Sequence, residues 1–141
     1  MPNLFLDLIL AGNRVGNLLL QQFAEAATHT MHAYLDYPVA IALIVLPFVL
    51  KLGASNPLAF WLSVGTGVAA FILTLLTDHE TGVIRVLPYS FHLAVDAAVG
   101  LTFVAAPVVL GFAGLDAWFY WVNAAGVLFV TSMHKPETAS V

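Results

Sequence analysis

Four apolar runs of close to 20 residues, at about 32–52, 57–77, 91–113 and 116–133, leave this chain very few ways to fold. An α-helix rises about 1.5 Å per residue, so a run of roughly 20 crosses a hydrocarbon core of about 30 Å. In hydrocarbon every backbone N–H and C=O must be satisfied internally, which restricts such runs to helices. The sequence therefore predicts an all-α integral membrane four-helix bundle. Composition agrees: 61% of the 141 residues are hydrophobic and mean hydropathy is +0.95, above the roughly 45–50% apolar usage of soluble domains. Charged residues make up only 9% and sit between the runs. The net charge of -4 gives no reason to expect nucleic acid. With no cysteine, disulfides and thiolate chemistry are excluded, and any metal must use nitrogen or oxygen ligands.

The run boundaries are marked. Asn56-Pro57 and Asp116 open the second and fourth runs with capping chemistry. The longest connection, TDHETGVIRVLPYS, contains Gly82, suited to a left-handed helix cap, and Pro88, which breaks any continuation. Upstream, residues 1–28 place Leu4, Leu8, Ala11, Val15 and Leu18 at helical spacing among Asp7, Asn13, Arg14, Asn17 and Gln21. That pattern predicts an amphipathic interfacial helix ahead of a transmembrane domain at 29–141. No basic residue precedes Leu4 and no cleavage pattern follows, which argues against a signal peptide. Arg14, Arg85 and Lys135 fall on the side of both termini and the middle loop, against Lys51 on the other, so both ends are expected in the cytoplasm.

An internal repeat orders the rest. A shift of 60 residues lays His32 on His92, Asp36 on Asp96, Val39 on Val99, Pro47 on Pro107, Leu50 on Leu110 and Trp61 on Trp121, with Asn56 on Asp116. The expected arrangement is two helical hairpins related by a pseudo-two-fold axis along the membrane normal. Pro47 and Pro107 each remove a backbone donor inside a span, and the expectation is a shared kink whose freed carbonyls neighbouring helices satisfy. Trp61 and Trp121 look like interfacial anchors, as do Tyr34, Tyr37 and Tyr89. Gly65, Gly67, Gly100 and Gly126 would permit close helix approach.

The pair HAYLDYPVAIALIVLPFVLKLG and HLAVDAAVGLTFVAAPVVLGFAG, joined by TLLTDHETGVIRVLPYSFH, resembles the SPW-repeat proteins, small bacterial integral membrane proteins. The likeness covers about residues 30–135. In place of the Ser-Pro-Trp triplet this chain reads Leu46-Pro47-Phe48 and Ala106-Pro107-Val108, keeping the proline, while the His-x-x-x-Asp pairs and Thr77-Asp78-x-Glu80 look like further family features. The resemblance implies a two-hairpin fold in the bacterial inner membrane. It supplies no catalytic residue.

Chemistry concentrates at one rim. His32 and Asp36 share a helix face, as do His92 and Asp96, and the expected topology brings His79, His134, Asp78, Glu80 and His29 to the same level. An aspartate at the centre of a span costs roughly 2.5–3.5 kcal/mol, so the deeper carboxylates should be partnered. One reading is a polar lock, with the pairs bonding one another to fix register. A second is a divalent metal, zinc, iron, manganese or copper, bound by imidazoles and carboxylates from facing helices, with Asp78 and Glu80 completing the shell. A third is haem b between His32 and His92, lined by Phe91, Phe103 and Phe129, against which stands the charge of an aspartate beside each ligand. A proton or solute pathway is the fourth. Lipid is the expected surrounding, with a second copy or another membrane protein as further partner. No hydrolase triad, phosphate loop or basic stripe is present.

Overall fold

The computed structural model describes residues 3–133, apart from the side chains of residues 5, 28 and 29. It contains four helices: α1 (Leu4–Val49), α2 (Leu58–Leu76), α3 (Tyr89–Val109) and α4 (Gly114–Ser132). α1 packs along α2 and α3 along α4, giving two tight pairs that touch each other far less extensively. α1, α2 and α3 are long and apolar enough to cross a membrane. α4 equals α2 in length at 19 residues, but Asp116, Asn123 and the hydroxyls of Tyr120, Thr131 and Ser132 make it less apolar than α2 and α3. Together these helices make a multi-pass membrane protein.

The separate N-terminal helix expected at 1–28 is joined to the first span without a break. No proline lies between Leu4 and Tyr37, and the stretch from Leu18 to Ala33 is rich in Leu, Ala, Gln and Glu, so nothing local terminates the helix. The 46 residues of α1 rise about 69 Å, more than twice the roughly 30 Å of a hydrocarbon core. With His32 at one rim, most of the segment before it therefore projects beyond the bundle, and its described side chains are exposed.

Both long runs end in the same way. Pro47 lies in the last turn of α1, Leu50 N–H donates to Leu46 O at 2.8 Å, and Leu52 N–H reaches back to Pro47 O at 3.0 Å. Sixty residues on, Leu110 donates to Ala106 O at 2.8 Å and Phe112 to Pro107 O at 2.9 Å. This is the Schellman pattern, which needs a left-handed residue between cap and return bond. Lys51 (φ 54°) and Gly111 (φ 68°) occupy that position. Pro47, Pro107, Leu52 and Phe112 are all buried beneath the turns. The carbonyl that Pro47 leaves without its helical donor, Leu43 O, accepts the Ser63 hydroxyl of α2 at 2.8 Å. The expected rescue by a neighbouring helix is thus present in the first repeat.

The apolar core, Leu43, Leu52, Ala59, Phe103, Ala106, Phe112, Ala117, Phe119, Tyr120 and Ala124, gathers at the end of the two short turns. A polar clasp joins the pairs there. Asp116 was expected to cap its own helix; instead its buried carboxylate accepts Gly53 N–H and Ser55 N–H, each at 2.9 Å, and the Ser55 hydroxyl. Asn56 Nδ2 donates to Leu110 O at 2.9 Å while its Oδ1 caps Leu58 N–H at 3.0 Å. Tyr120 closes the set with a buried bond to Ala59 O at 2.7 Å. Close approach rests on two of the four glycines. A Cβ on Gly67 would lie 2.9 Å from Ala40 O, and one on Gly100 would lie 2.6 Å from Leu128 Cδ2, whereas Gly65 and Gly126 face open space.

Candidate metal site

At the other end of the bundle the two His-x-x-x-Asp pairs converge. The i,i+4 spacing puts each pair on one face of its helix, and the faces of α1 and α3 meet. His32 Nε2 lies 2.9 Å from Asp96 Oδ2 and 3.4 Å from Asp36 Oδ1. His92 Nε2 lies 3.3 Å from Asp96 Oδ2 and 3.4 Å from Asp36 Oδ2. Imidazole and carboxylate therefore alternate around a closed ring, and one ligand atom from each residue can be chosen so that all four lie within 4.8 Å of one another. Both imidazoles are buried, and the carboxylates retain 11% and 20% of their exposure, enough to reach the adjoining cavity.

The loop from Thr77 to Pro88 builds the wall behind this ring. Val83 and Ile84 N–H donate to Leu75 O, and Val86 and Leu87 N–H to Leu76 O, so the loop folds back to satisfy the last carbonyls of α2. Gly82 is required sterically rather than for a left-handed φ: a Cβ there would fall 1.9 Å from Thr77 O. Asp78 N–H donates to Leu87 O at 2.8 Å, and the result is a fixed position for Thr77 and His79.

Two tautomers follow from the donors around the ring. The Thr77 hydroxyl has one proton and sits 2.7 Å from Leu73 O, which can only accept. The second short contact of that oxygen, 2.9 Å to His92 Nδ1, must then be a bond that His92 Nδ1–H donates. With Nδ1–H committed to Thr77, His92 turns Nε2 toward two carboxylates, as a lone pair when the ring is neutral and as an N–H donor when it carries a second proton. His79 is the opposite case. Thr81 N–H donates to its Nδ1 at 3.2 Å, so the ring proton resides on Nε2, 3.7 Å from Asp36 Oδ2. The Thr81 hydroxyl donates to Ala33 O at 3.0 Å and Tyr37 donates to Thr81 O at 3.0 Å, tying the loop to α1.

Of the residues singled out in the sequence, His32, Asp36, His92 and Asp96 form the cluster, with His79 buried against it. Asp78 and Glu80 lie on the surface, Glu80 accepting the Thr30 hydroxyl at 3.0 Å. The side chain of His29 and the whole of His134 lie outside the described residues. Phe103 belongs to the distant core, and Phe91 and Phe129 are exposed. Two contributors were not legible as such. Thr77 reads as a helix end in an acidic turn. Tyr89 reads as an interface tyrosine, yet its ring stacks on His92 at 6.2 Å and meets His32 edge-on at 5.9 Å. The i,i+3 spacing of Tyr89 and His92 was the one available signal.

A cavity of about 210 Å³ opens directly off the ring, bounded by Leu35 and Val39 of α1, Thr74 of α2, and Val122, Asn123 and Gly126 of α4. Compared with known protein families, curated proteins and solved structures, the chain matches none.

Proposed function

We propose that this protein binds a divalent metal ion through His32, Asp36, His92 and Asp96 at the cytoplasmic rim of a pseudo-two-fold bundle in the bacterial inner membrane. The observation that carries the reading is His92 Nε2 held against Asp36 and Asp96 by the Thr77–Leu73 relay. Two carboxylates and an imidazole nitrogen pointing at one spot need a positive charge between them, which a proton or a metal ion supplies, and a divalent ion serves both carboxylates at once. A divalent ion balances the two carboxylates, and neutral imidazoles complete the shell. The contacts of 2.9–3.4 Å around the ring, two of them through different oxygens of Asp36, approach the roughly 3.3 Å edges of a tetrahedron with metal–ligand bonds of about 2.0–2.1 Å, and with one donor atom per residue all four lie within 4.8 Å of one another. Zinc fits best, with iron, manganese or copper as competitors for the same donors. His79, protonated on Nε2, supports Asp36 from behind the ligand shell. The orientation with both termini in the cytoplasm, and kinship with the SPW-repeat proteins, belong to the same proposal.

The polar lock has one specific observation in its favour, the 2.9 Å bond between His32 and Asp96, which already joins α1 to α3. Haem is disfavoured because Asp96 contacts both imidazoles and fills the space a porphyrin plane would need between them. The readings separate on purified protein. Under metal binding, elemental analysis gives one zinc per chain after equilibration. His32→Ala and His92→Ala each abolish it while helical circular dichroism persists. If both variants unfold and the parent chain retains no metal, the lock is the correct reading. Metal occupancy should also fall on acidification, because protons compete for the same lone pairs.

A further inference from the structure

The cavity beside the ring opens sideways, between α1 and α4. Its exposed lining residues, Leu35, Val39, Val122 and Gly126, all belong to α1 and α4, whereas its α2 and α3 lining, Thr74 and His92 among them, is buried or half-buried. α1 and α4 make no extensive contact with each other, so the gap between them is the mouth. Val39 lies seven residues beyond His32 along α1, about 10 Å further into the span. The mouth therefore gives onto hydrocarbon, and what enters must already be dissolved in the bilayer.

From this geometry we infer that the slot between α1 and α4 admits the head of a neutral, single-chain lipid bearing a hydroxyl or carbonyl group, which reaches the Asp36/Asp96 edge of the ring. The site rests on the metal reading only for its final ligand. Size sets the first constraint. An apolar cavity of about 150 Å³ takes a benzene ring, so about 210 Å³ holds a small head group and the first few methylenes, and the tail stays in the membrane. Charge sets the second. With a divalent ion in place the edge is neutral and the apolar walls disfavour an ionised head, and without one the edge is negative and repels an anion, so an anionic head is rejected in both states. The valine walls accept the chain, and Asp36, Asp96 and Asn123 supply the polar end.

Gly126 provides a clean obstruction, since a Cβ there meets nothing within 4 Å. Gly65, equally open, serves as control on α2. The protein is placed in phosphatidylcholine nanodiscs with a photoreactive hexadecanol whose diazirine lies near the hydroxyl, and cross-links are mapped by mass spectrometry. Labelling of α1 and α4 peptides around Leu35, Val39 and Val122 is expected, reduced about tenfold or more in Gly126→Leu and unchanged in Gly65→Leu. On zinc-loaded protein, palmitate and a fatty amine carrying the same diazirine should label these peptides several-fold less. Equal labelling of Gly126→Leu and the parent, or preference of the zinc-loaded protein for the carboxylate or amine probe, overturns the proposal. Zinc is measured on the same samples: zinc bound with no slot labelling overturns lipid entry alone, and slot labelling with no zinc supports lipid entry while removing the metal.

Discussion

Thr77 has one proton and two partners, and that shortage decides the state of the candidate site. Its hydroxyl must donate to Leu73 O, so it can only accept from His92, and the imidazole is held with Nε2 toward the carboxylates. Thr77→Val keeps the shape and removes the acceptor. The expected outcome is a loss of about 10- to 100-fold in metal affinity, read by chelator competition, with helical content unchanged. Thr77→Ser should restore most of it. The same reasoning separates His79 from the ligands: His79→Gln, which retains a donor toward Asp36, should leave one metal per chain, unlike His32→Ala. Thr77 was invisible as a contributor because a terminal threonine carries no signature in sequence. Its role depends on a loop folding back over α2, and that is settled by backbone bonds from Val83, Ile84, Val86 and Leu87.

At the scale of the helix, the paired run ends explain where proline is tolerated. Pro47 costs α1 the donor for Leu43 O, and Ser63 supplies another from α2. Ser63→Ala should destabilise the protein by about 0.6–1.7 kcal/mol, the range for hydrogen bonds between membrane helices. In a Pro47→Ala background residue 47 regains its N–H, so the same substitution should cost less, and a double-mutant cycle in graded denaturing detergent measures the coupling. The left-handed caps offer a second comparison. Lys51 holds φ 54° where its repeat partner Gly111 holds 68°, and a side chain in that region costs roughly 1–2 kcal/mol. Lys51→Gly should raise stability by about 1 kcal/mol, and Gly111→Lys should lower it by a similar amount. The alignment of Pro47 with Pro107 predicted a shared device. That the device is a helix ending became clear only from the return bonds of Leu52 and Phe112.

For the whole molecule, the two helix pairs are held at both ends by polar groups and in between by little else. The clasp on Asp116 gathers Gly53 and Ser55 from the opposite pair, and the His/Asp ring joins α1 to α3 at the other end. Asp116→Ala should therefore cost about 1–3 kcal/mol through the charged hydrogen bonds it removes between the pairs. It should also widen the distance between spin labels on the two turns, measured by pulsed electron resonance, before secondary structure is lost. The sequence by itself determined the helical class, the run lengths, the repeat, and that the two His-x-x-x-Asp pairs lie at one rim among other candidates, because hydrocarbon forbids unsatisfied backbone and tolerates carboxylates only in company. It could not separate the N-terminal helix from the first span correctly, since amphipathic and apolar patterns can follow one another along a single uninterrupted helix. It also could not say whether Asp116 faces its own helix or the neighbouring turn, or which of the histidines face the carboxylates. Those choices belong to the tertiary structure: hydrogen-bond donors and acceptors far apart in the chain are paired by packing, and only the packed chain counts how many protons each oxygen has to share.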